Sequence, residues 1–326
     1  MDKVQNKLSR RDVEVAYELL LGRRAKSGAA VAKQLKANKT LSDLRRRFMG
    51  SEEYRIQMRR KGLMSRPLDW PKMDIEVDVP AETLAAMLRH IEGNWAQLGE
   101  QDPHWSVLTR DRFRATEIGS NIKAFYRSGK RVISYFTHTC DRAGVNYKEL
   151  RRCFELGCGV GRVSIWLAQL FPELIAADIS APHLRLAAEA CAREGLKNVE
   201  LRLLNEVEKI RALPDIDCFL SVIVLQHNPP PVIAFLLRTI LGKLTPGGVG
   251  YFQVPTYRKN AKFSAREYLT GASIEGRLEM HVLPQNVLWE IAEEADCRIL
   301  DVREDTWTGK GLGISNSILL RKTGER

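Results

Sequence analysis

Three glycines at alternate positions, Gly157, Gly159 and Gly161, lie in the segment Cys153-Phe154-Glu155-Leu156-Gly157-Cys158-Gly159-Val160-Gly161-Arg162. An apolar run precedes them and a helical pattern follows. They therefore mark a strand-to-helix turn, where glycine permits a tight bend and lets a ligand approach the backbone. Asp178 ends the next apolar run, 21 residues after Gly157. An acid at that point can accept two hydrogen bonds from a ribose diol. Strand, turn, helix and acid in register favour an adenosine-type cofactor over a purely structural turn. The spacing also separates two cofactor classes. Dinucleotide sites read G-x-G-x-x-G, with a helix N-terminus facing a pyrophosphate. Here the glycines run G-x-G-x-G, and Glu155 precedes them by two. That carboxylate would repel a pyrophosphate but can pair with an ammonium group.

The pattern resembles motif I of the class I S-adenosylmethionine (SAM) methyltransferases, E/D-x-G-x-G-x-G, and the resemblance extends over roughly residues 120–325. It implies a doubly wound, Rossmann-like α/β fold with a seven-stranded sheet whose last strand is antiparallel. It also implies S-adenosyl-L-methionine as the cofactor. By that resemblance Glu155, Gly157, Cys158, Gly159 and Gly161 hold the methionine end, Asp178 takes the ribose and Ile179 lies against the adenine. Asn205 stands where the family often has Asp, and an amide there can still hydrogen-bond the base. Asp217–His227 resembles the fourth strand and its exit, the floor of the methyl-transfer pocket. This puts Ser221 with the cofactor and Gln226 with the acceptor. The Asn228-Pro229-Pro230-Pro231 run looks like the signature of amino-group methyltransferases, but Asn228 lies 11 residues after Asp217, too far along. The prolines suit the start of a helix instead.

Transfer to a hydroxyl needs orientation and a base, and histidine is the usual base near neutral pH. His227, just after the fourth strand, and His281, just before the helix that follows strand five, are the expected catalytic residues, with Glu279 a weaker alternative. His138 reads as a packed helix residue. A long connection at 255–283 carries Tyr257, Arg258 and Tyr268, and loops at strand carboxyl ends form the ligand crevice in such folds. A second lid is expected before the core, over 102–129, where Trp105 and Tyr126 could cover the cofactor or grip a sugar ring.

The elements that must position these residues follow from periodicity. Strands are expected near 151–156, 174–178, 199–204, 217–223, 248–254, 298–303 and 315–322, with the last two forming an antiparallel hairpin. Helices are expected over 129–143, 161–170, 181–194, 206–212, 230–243 and 284–295. Ahead of them, Pro80 and Glu82 open a helix to about Gln97 whose stripe is Leu84, Met87, Leu88, Ile91 and Trp95. The N-terminal residues read as short helices capped by Ser9 and by Thr40 or Ser42. Three segments result: a basic helical module at 1–61, a linker and helical extension at 62–120, and the methyltransferase domain at 121–326.

The chain has 326 residues, 44% hydrophobic and 28% charged, which excludes disordered and fibrous classes. The start (MDKVQNKLSRRD) has no apolar core after its charges, so a cytoplasmic protein is expected. The six cysteines show no CxxC pair, and no metal-ligand spacing stands out. Net charge is +11, yet residues 1–62 alone hold 17 Lys and Arg against 7 Asp and Glu, and the remainder is nearly neutral. A basic appendage on a neutral domain suits an anionic partner: a membrane surface at the inner membrane, or a polyanion. Nucleic acid fits less well, because no aromatic–basic RNA-reading motif is visible. Residues 8–58 resemble a small helical domain of unknown function found in bacterial surface-layer and glycan-modifying proteins. The resemblance rests on Tyr17-Glu18-Leu19-Leu20-Leu21-Gly22-Arg23, Leu41, Leu44, Phe48 and Ser51-Glu52-Glu53-Tyr54-Arg55, and the family's D-x-x-G is replaced by RRAKSGAA. It implies O-methylation of a sugar or polysaccharide intermediate. An RNA or protein methyltransferase tethered by the basic arm, and a non-catalytic SAM-binding scaffold, are the competing readings.

Overall fold

The computed structural model describes residues 8–54, 58, 70–271, 278–308 and 313–324. The chain forms two compact units, Met1–Pro71 and Lys72–Arg326.

In the first unit, helices α1 (Arg10–Leu21), α2 (Gly28–Ala37) and α3 (Leu41–Met49) follow their local signals. Ser9 and Asp12 form a reciprocal capping box, as do Thr40 and Asp43, so orphan N–H groups at two helix starts are satisfied. Gly22, in the left-handed region at φ 61°, closes α1. Val13, Tyr17, Leu21, Val31, Leu44 and Phe48 make a small core, with the Tyr17 and Phe48 rings 4.8 Å apart edge to face. The Arg23 guanidinium clamps Glu53 through Nε and Nη2. Of the linker expected from residue 62, residues 62–69 lie outside the described residues.

The second unit is built on a seven-stranded sheet. Its strands are β1 (Arg152–Leu156), β2 (Glu173–Asp178), β3 (Val199–Leu203), β4 (Ile216–Ser221), β5 (Leu244–Tyr257), β6 (Cys297–Asp305) and β7 (Ile314–Lys322). The order across the sheet is β3-β2-β1-β4-β5-β7-β6. β1 to β5 are parallel, and β7 runs antiparallel to both neighbours. The Rossmann-like α/β class and the antiparallel last strand are as expected. The order reverses between β1 and β4, and a crevice opens at the carboxyl ends of strands at such a switch point.

Pleating sends alternate residues to opposite faces. Phe154, Phe219 and Phe252 stack across β1, β4 and β5 on one face, with ring centroids 6.1 and 5.7 Å apart. They pack with Leu84, Met87, Leu88 and Ile91 of helix α4 (Ala81–Gln101) and with the apolar helix Pro230–Gly242. On the other face Cys153, Cys218 and Leu319 meet Val132, Phe136 and Cys140 of the helix Lys130–Arg142. All six cysteines are buried and unpaired.

The α4 helix runs four residues beyond the expected Gln97, ending at Gln101. Two helices follow that the sequence reading did not place, α5 (Pro103–Val107) and α6 (Ile118–Arg127). The helix expected over 161–170 is a short one, Ser164–Leu167. No helix among the described residues is long and apolar enough to cross a membrane.

Candidate functional site

A cleft opens over the β1 turn, enclosing about 990 Å³ including the solvent at its mouth. Its floor is Glu155, Leu156, Gly157, Cys158 and Gly159; Asp178 and Ile179 come from the β2 end, and Val222, Ile223 and Val224 from the β4 exit. Helix α4 contributes Leu88, Ile91 and Trp95, and α5 contributes Ser106 and Val107.

The glycine turn is built as the chemistry requires. Gly157 and Gly159 have φ of 72° and 54°, in the left-handed region. A Cβ at Gly157 would fall 2.4 Å from the Val224 methyls, and one at Gly159 would fall 2.6 Å from a Val107 methyl. Side chains at either position would fill the cradle. Gly161 is not part of the cleft lining. It lets the turn approach Ala187, whose Cα would lie 3.3 Å from an added Cβ.

Two acids flank the turn. The Asp178 carboxylate accepts the Gly159 N–H at 2.8 Å and the Ser180 N–H at 2.9 Å. Each oxygen retains lone-pair capacity for a diol. Glu155 is 4% exposed. Burial pushes its carboxyl up to about 7, against the pull of the Ser164 hydroxyl and the Arg162 field, with Asp178 adding to the rise. The Ser164 hydroxyl donates to its Oε2 at 2.6 Å. A buried, costly carboxylate in a cleft is suited to a cation. The apolar stretch from Leu88 and Ile91 to Ile179, Leu204 and Ile210 suits a base. The residues present thus fit SAM: backbone cradle, ammonium partner, diol acceptor and apolar base slot.

Several expected site residues sit elsewhere. Asn205 does not line the cleft; its amide donates to Glu92 at 2.6 Å and accepts from Lys209 at 2.8 Å. Ser221 ties β4 to β1 by donating to the Leu156 carbonyl. Tyr126 is no lid: it is buried beneath the turn, its hydroxyl donating to the Val160 carbonyl and its carbonyl accepting from the Trp166 indole. Trp105 lies under Arg114, 4.2 Å from the guanidinium carbon. The expected lid over 102–129 does reach the cleft, but through Ser106 and Val107. Arg258 lies in a separate groove with Lys262, Phe263 and His281. Tyr257 ends β5 and is also absent from the cleft lining.

The expected catalytic histidines converge on Glu279. The His227 Nδ1–H donates to the Glu279 carbonyl at 2.7 Å, which leaves the lone pair on Nε2. The Gln226 amide nitrogen lies 3.3 Å from that Nε2, while the Gln226 Oε1 is buried with no described partner. Burial drops His227 to about 4, so the ring is neutral at pH 7. Its ring stacks edge to face on Trp95 of the cleft wall at 5.5 Å. The His281 Nε2 lies 3.0 Å from a Glu279 carboxylate oxygen, and the His281 backbone N–H donates to the Gln226 carbonyl. Tyr268 packs edge to face against both His281 and His90. Part of the 255–283 connection, 272–277, lies outside the described residues.

The sequence reading missed His183, which is buried with its two ring nitrogens 2.9 and 2.7 Å from the hydroxyls of Ser106 and Ser180. It links the lid helix to the β2 exit. Its signal was position, three residues after Ser180 at a helix start. Arg162, directly after Gly161, was passed over too, and it lines the cleft. Ile223 holds φ 64°, rare for a β-branched residue, with its N–H held by the Gln253 side chain at 2.9 Å. Such strain is retained where surrounding structure imposes it, often at functional sites.

Sheet order and the antiparallel last strand make this a Rossmann-like methyltransferase fold, and the acid-flanked glycine cradle fits S-adenosylmethionine as its cofactor. Residues 154–248 match a family model described as a methyltransferase domain. Comparison with curated proteins finds no match. Among solved structures the chain is similar to magnesium protoporphyrin IX methyltransferase from Synechocystis PCC 6803 with bound SAH. The two share 13% identity over 72% of this chain and 99% of that one, with a TM-score of 0.50. It is also similar to a SAM-dependent methyltransferase from Clostridium acetobutylicum ATCC 824, at 13% identity, 59% and 90% coverage and a TM-score of 0.44. A SAM-dependent methyltransferase from Methanosarcina mazei shows 20% identity, 55% and 94% coverage and a TM-score of 0.41.

Proposed function

We propose that the protein transfers a methyl group from SAM to a hydroxyl of a sugar or polysaccharide intermediate, with His227 as the base. The cofactor supplies an electrophilic methyl on its sulfonium. The chain's own residues do the rest: Gly157, Cys158 and Gly159 carry the methionine end, Glu155 faces its ammonium and Asp178 its ribose. The observation that carries the hydroxyl reading is the state of His227. Its Nδ1–H is committed to the Glu279 carbonyl, it is held neutral, and it packs on Trp95, which lines the cleft. A neutral imidazole of fixed tautomer can take a hydroxyl proton as the oxygen attacks. A glycan acceptor is supported by the resemblance of residues 8–58 to modules of glycan-modifying proteins. The net charge of +10 over residues 1–62 would hold the enzyme near an anionic membrane or polymer.

The test is turnover of SAM on a panel of hydroxylated glycans, RNA and protein acceptors, for wild type and His227→Asn. Methylation of a glycan hydroxyl is expected, with kcat reduced 10²- to 10⁴-fold in the variant and S-adenosylhomocysteine (SAH) binding retained. Activity on RNA or protein alone would overturn the acceptor class. Full activity in the variant would remove His227 as base.

A further inference from the structure

Beside the cofactor cleft lies a second pocket with an unusual charge balance. It is lined by Leu108, Arg110, Ser128, Arg131, Arg162 and Trp307, and none of these is an acid. It shares Arg162 with the cofactor cleft. It continues outward into a wider basin through Leu108, Arg110, Arg131 and Trp307, and that basin touches the cleft again at Ile223.

The three arginines differ from their neighbours. On the outer wall of the basin Arg142 and Arg303 are both paired with Asp301, at 2.9 and 3.2 Å. Of the other acids there, the Asp305 carboxylate is taken up by the Ser317 hydroxyl and the Trp307 N–H, and Glu304 also lines that wall. Arg110 and Arg131 make no ion pair among the described residues, and Arg131 lies 5.8 Å from the Trp307 ring. Arg162 is 5% exposed. Its Nη1 reaches the Ser128 hydroxyl at 3.3 Å, but its Nε is buried with no hydrogen-bond partner. A buried guanidinium with an idle donor is costly, and two further guanidinium groups act against its charge. The Glu155 carboxylate offsets part of this, but its Oε2 is already held by Ser164.

We propose that Arg110, Arg131 and Arg162 form an oxyanion pocket, and that the acceptor carries a carboxylate or phosphate that docks there while its hydroxyl faces the cofactor. The guanidinium fork matches either group with two parallel hydrogen bonds. The pocket meets the cleft at Arg162, and the basin it opens into meets the cleft at Ile223, so such a group would sit between the glycine turn and the β4 exit. This inference rests on the methyltransferase reading, which supplies the acceptor.

The test uses the full chain, saturated with SAH, and two probes, sodium glucuronate and inorganic phosphate. Arg110→Gln and Arg131→Gln are suitable because both side chains are exposed and carry no ion pair that the fold needs. Wild type should gain thermal stability with glucuronate or phosphate, and each variant should weaken that binding at least tenfold. SAH affinity should stay within twofold. Loss of SAH affinity in the variants, with binding of methylthioadenosine unchanged, would overturn the proposal, because the arginines would then hold the cofactor's own carboxylate. Absence of probe binding in wild type, or binding that survives both substitutions, would overturn it too. Failure of wild type to bind SAH at all would instead sink the methyltransferase reading, so the two failures are distinct.

Discussion

Replacing Glu155 with Gln should make the cofactor-free protein more stable at pH 8 and leave it nearly unchanged at pH 4. The carboxyl is buried, and its pKa is pushed from 4.5 to about 7. The folded chain therefore holds a proton between those values that the unfolded chain releases. Stability from this group is fully present below pH 4.5 and is lost as pH rises through 7. A gap of about 2.5 units is worth about 3 kcal/mol, so the variant gains up to that amount at pH 8. The Ser164 hydroxyl, 2.6 Å from Oε2, can still donate to an amide oxygen, so little is forfeited there. Cofactor binding couples to the same proton. An ammonium beside Glu155 favours the carboxylate, so binding must expel the proton. At pH 6.5 the free site is about three-quarters protonated, and SAH should release about 0.7 proton, falling to about 0.1 at pH 8. Thermal unfolding at the two pH values measures the first effect. Calorimetry in buffers of different ionisation enthalpy measures the second, with Glu155→Gln subtracting any contribution from the cofactor's own amine, which titrates at about 7.7–8. Equal proton release by variant and wild type would refute the assignment of Glu155 as the ammonium's partner, and a variant no more stable at pH 8 would refute the raised, buried carboxyl.

Gly159→Ala should lower SAH affinity at least tenfold. The position is left-handed, costing about 1–2 kcal/mol for an L side chain, and the new Cβ meets Val107. Adding Val107→Ala should recover the clash part alone, as titration calorimetry would show. For His227, held at about 4 against 6.5 unfolded, the sign is opposite to Glu155. Its contribution is present above pH 6.5 and fades as pH falls towards 4, a swing of about 3 kcal/mol. The stability difference between wild type and His227→Asn should therefore shrink on acidification, and a constant difference would contradict the burial argument. Thr40→Ala removes one capping box and should cost the N-terminal helices about 1 kcal/mol. Denaturation followed by helix signal would register it, while SAH binding, which uses residues of the other unit, should not change.

What could be read in advance depended on whether the signal was local. Ser9, Thr40 and Gly22 cap helices through their own neighbours, and the expected boundaries there were met within a residue. The central parallel strands β1, β2 and β4, buried on both faces, were visible as short apolar runs. The glycine turn flanked by Glu155 and Asp178 was legible because a left-handed backbone selects glycine and both acids belong to adjacent apolar runs, which are local signals. The misses share a different cause. Asn205 and Ser221 were placed by position relative to strands, and Tyr126 and Trp105 as part of a lid ahead of the core, yet each finds its partner across the fold: Glu92, the Leu156 carbonyl, the Val160 carbonyl and Arg114. A polar side chain near a cleft turns towards whatever satisfies it first, and sequence spacing does not say where that partner is. The same logic explains why the arginine pocket stayed hidden. Arg110, Arg131 and Arg162 come from a lid loop, a helix and the glycine turn, and only folding places them around one space without an acid. Charge counting along the chain found the basic N-terminus. Charge left unpaired inside the second unit is visible only once the neighbouring carboxylates and their partners have been placed in the fold.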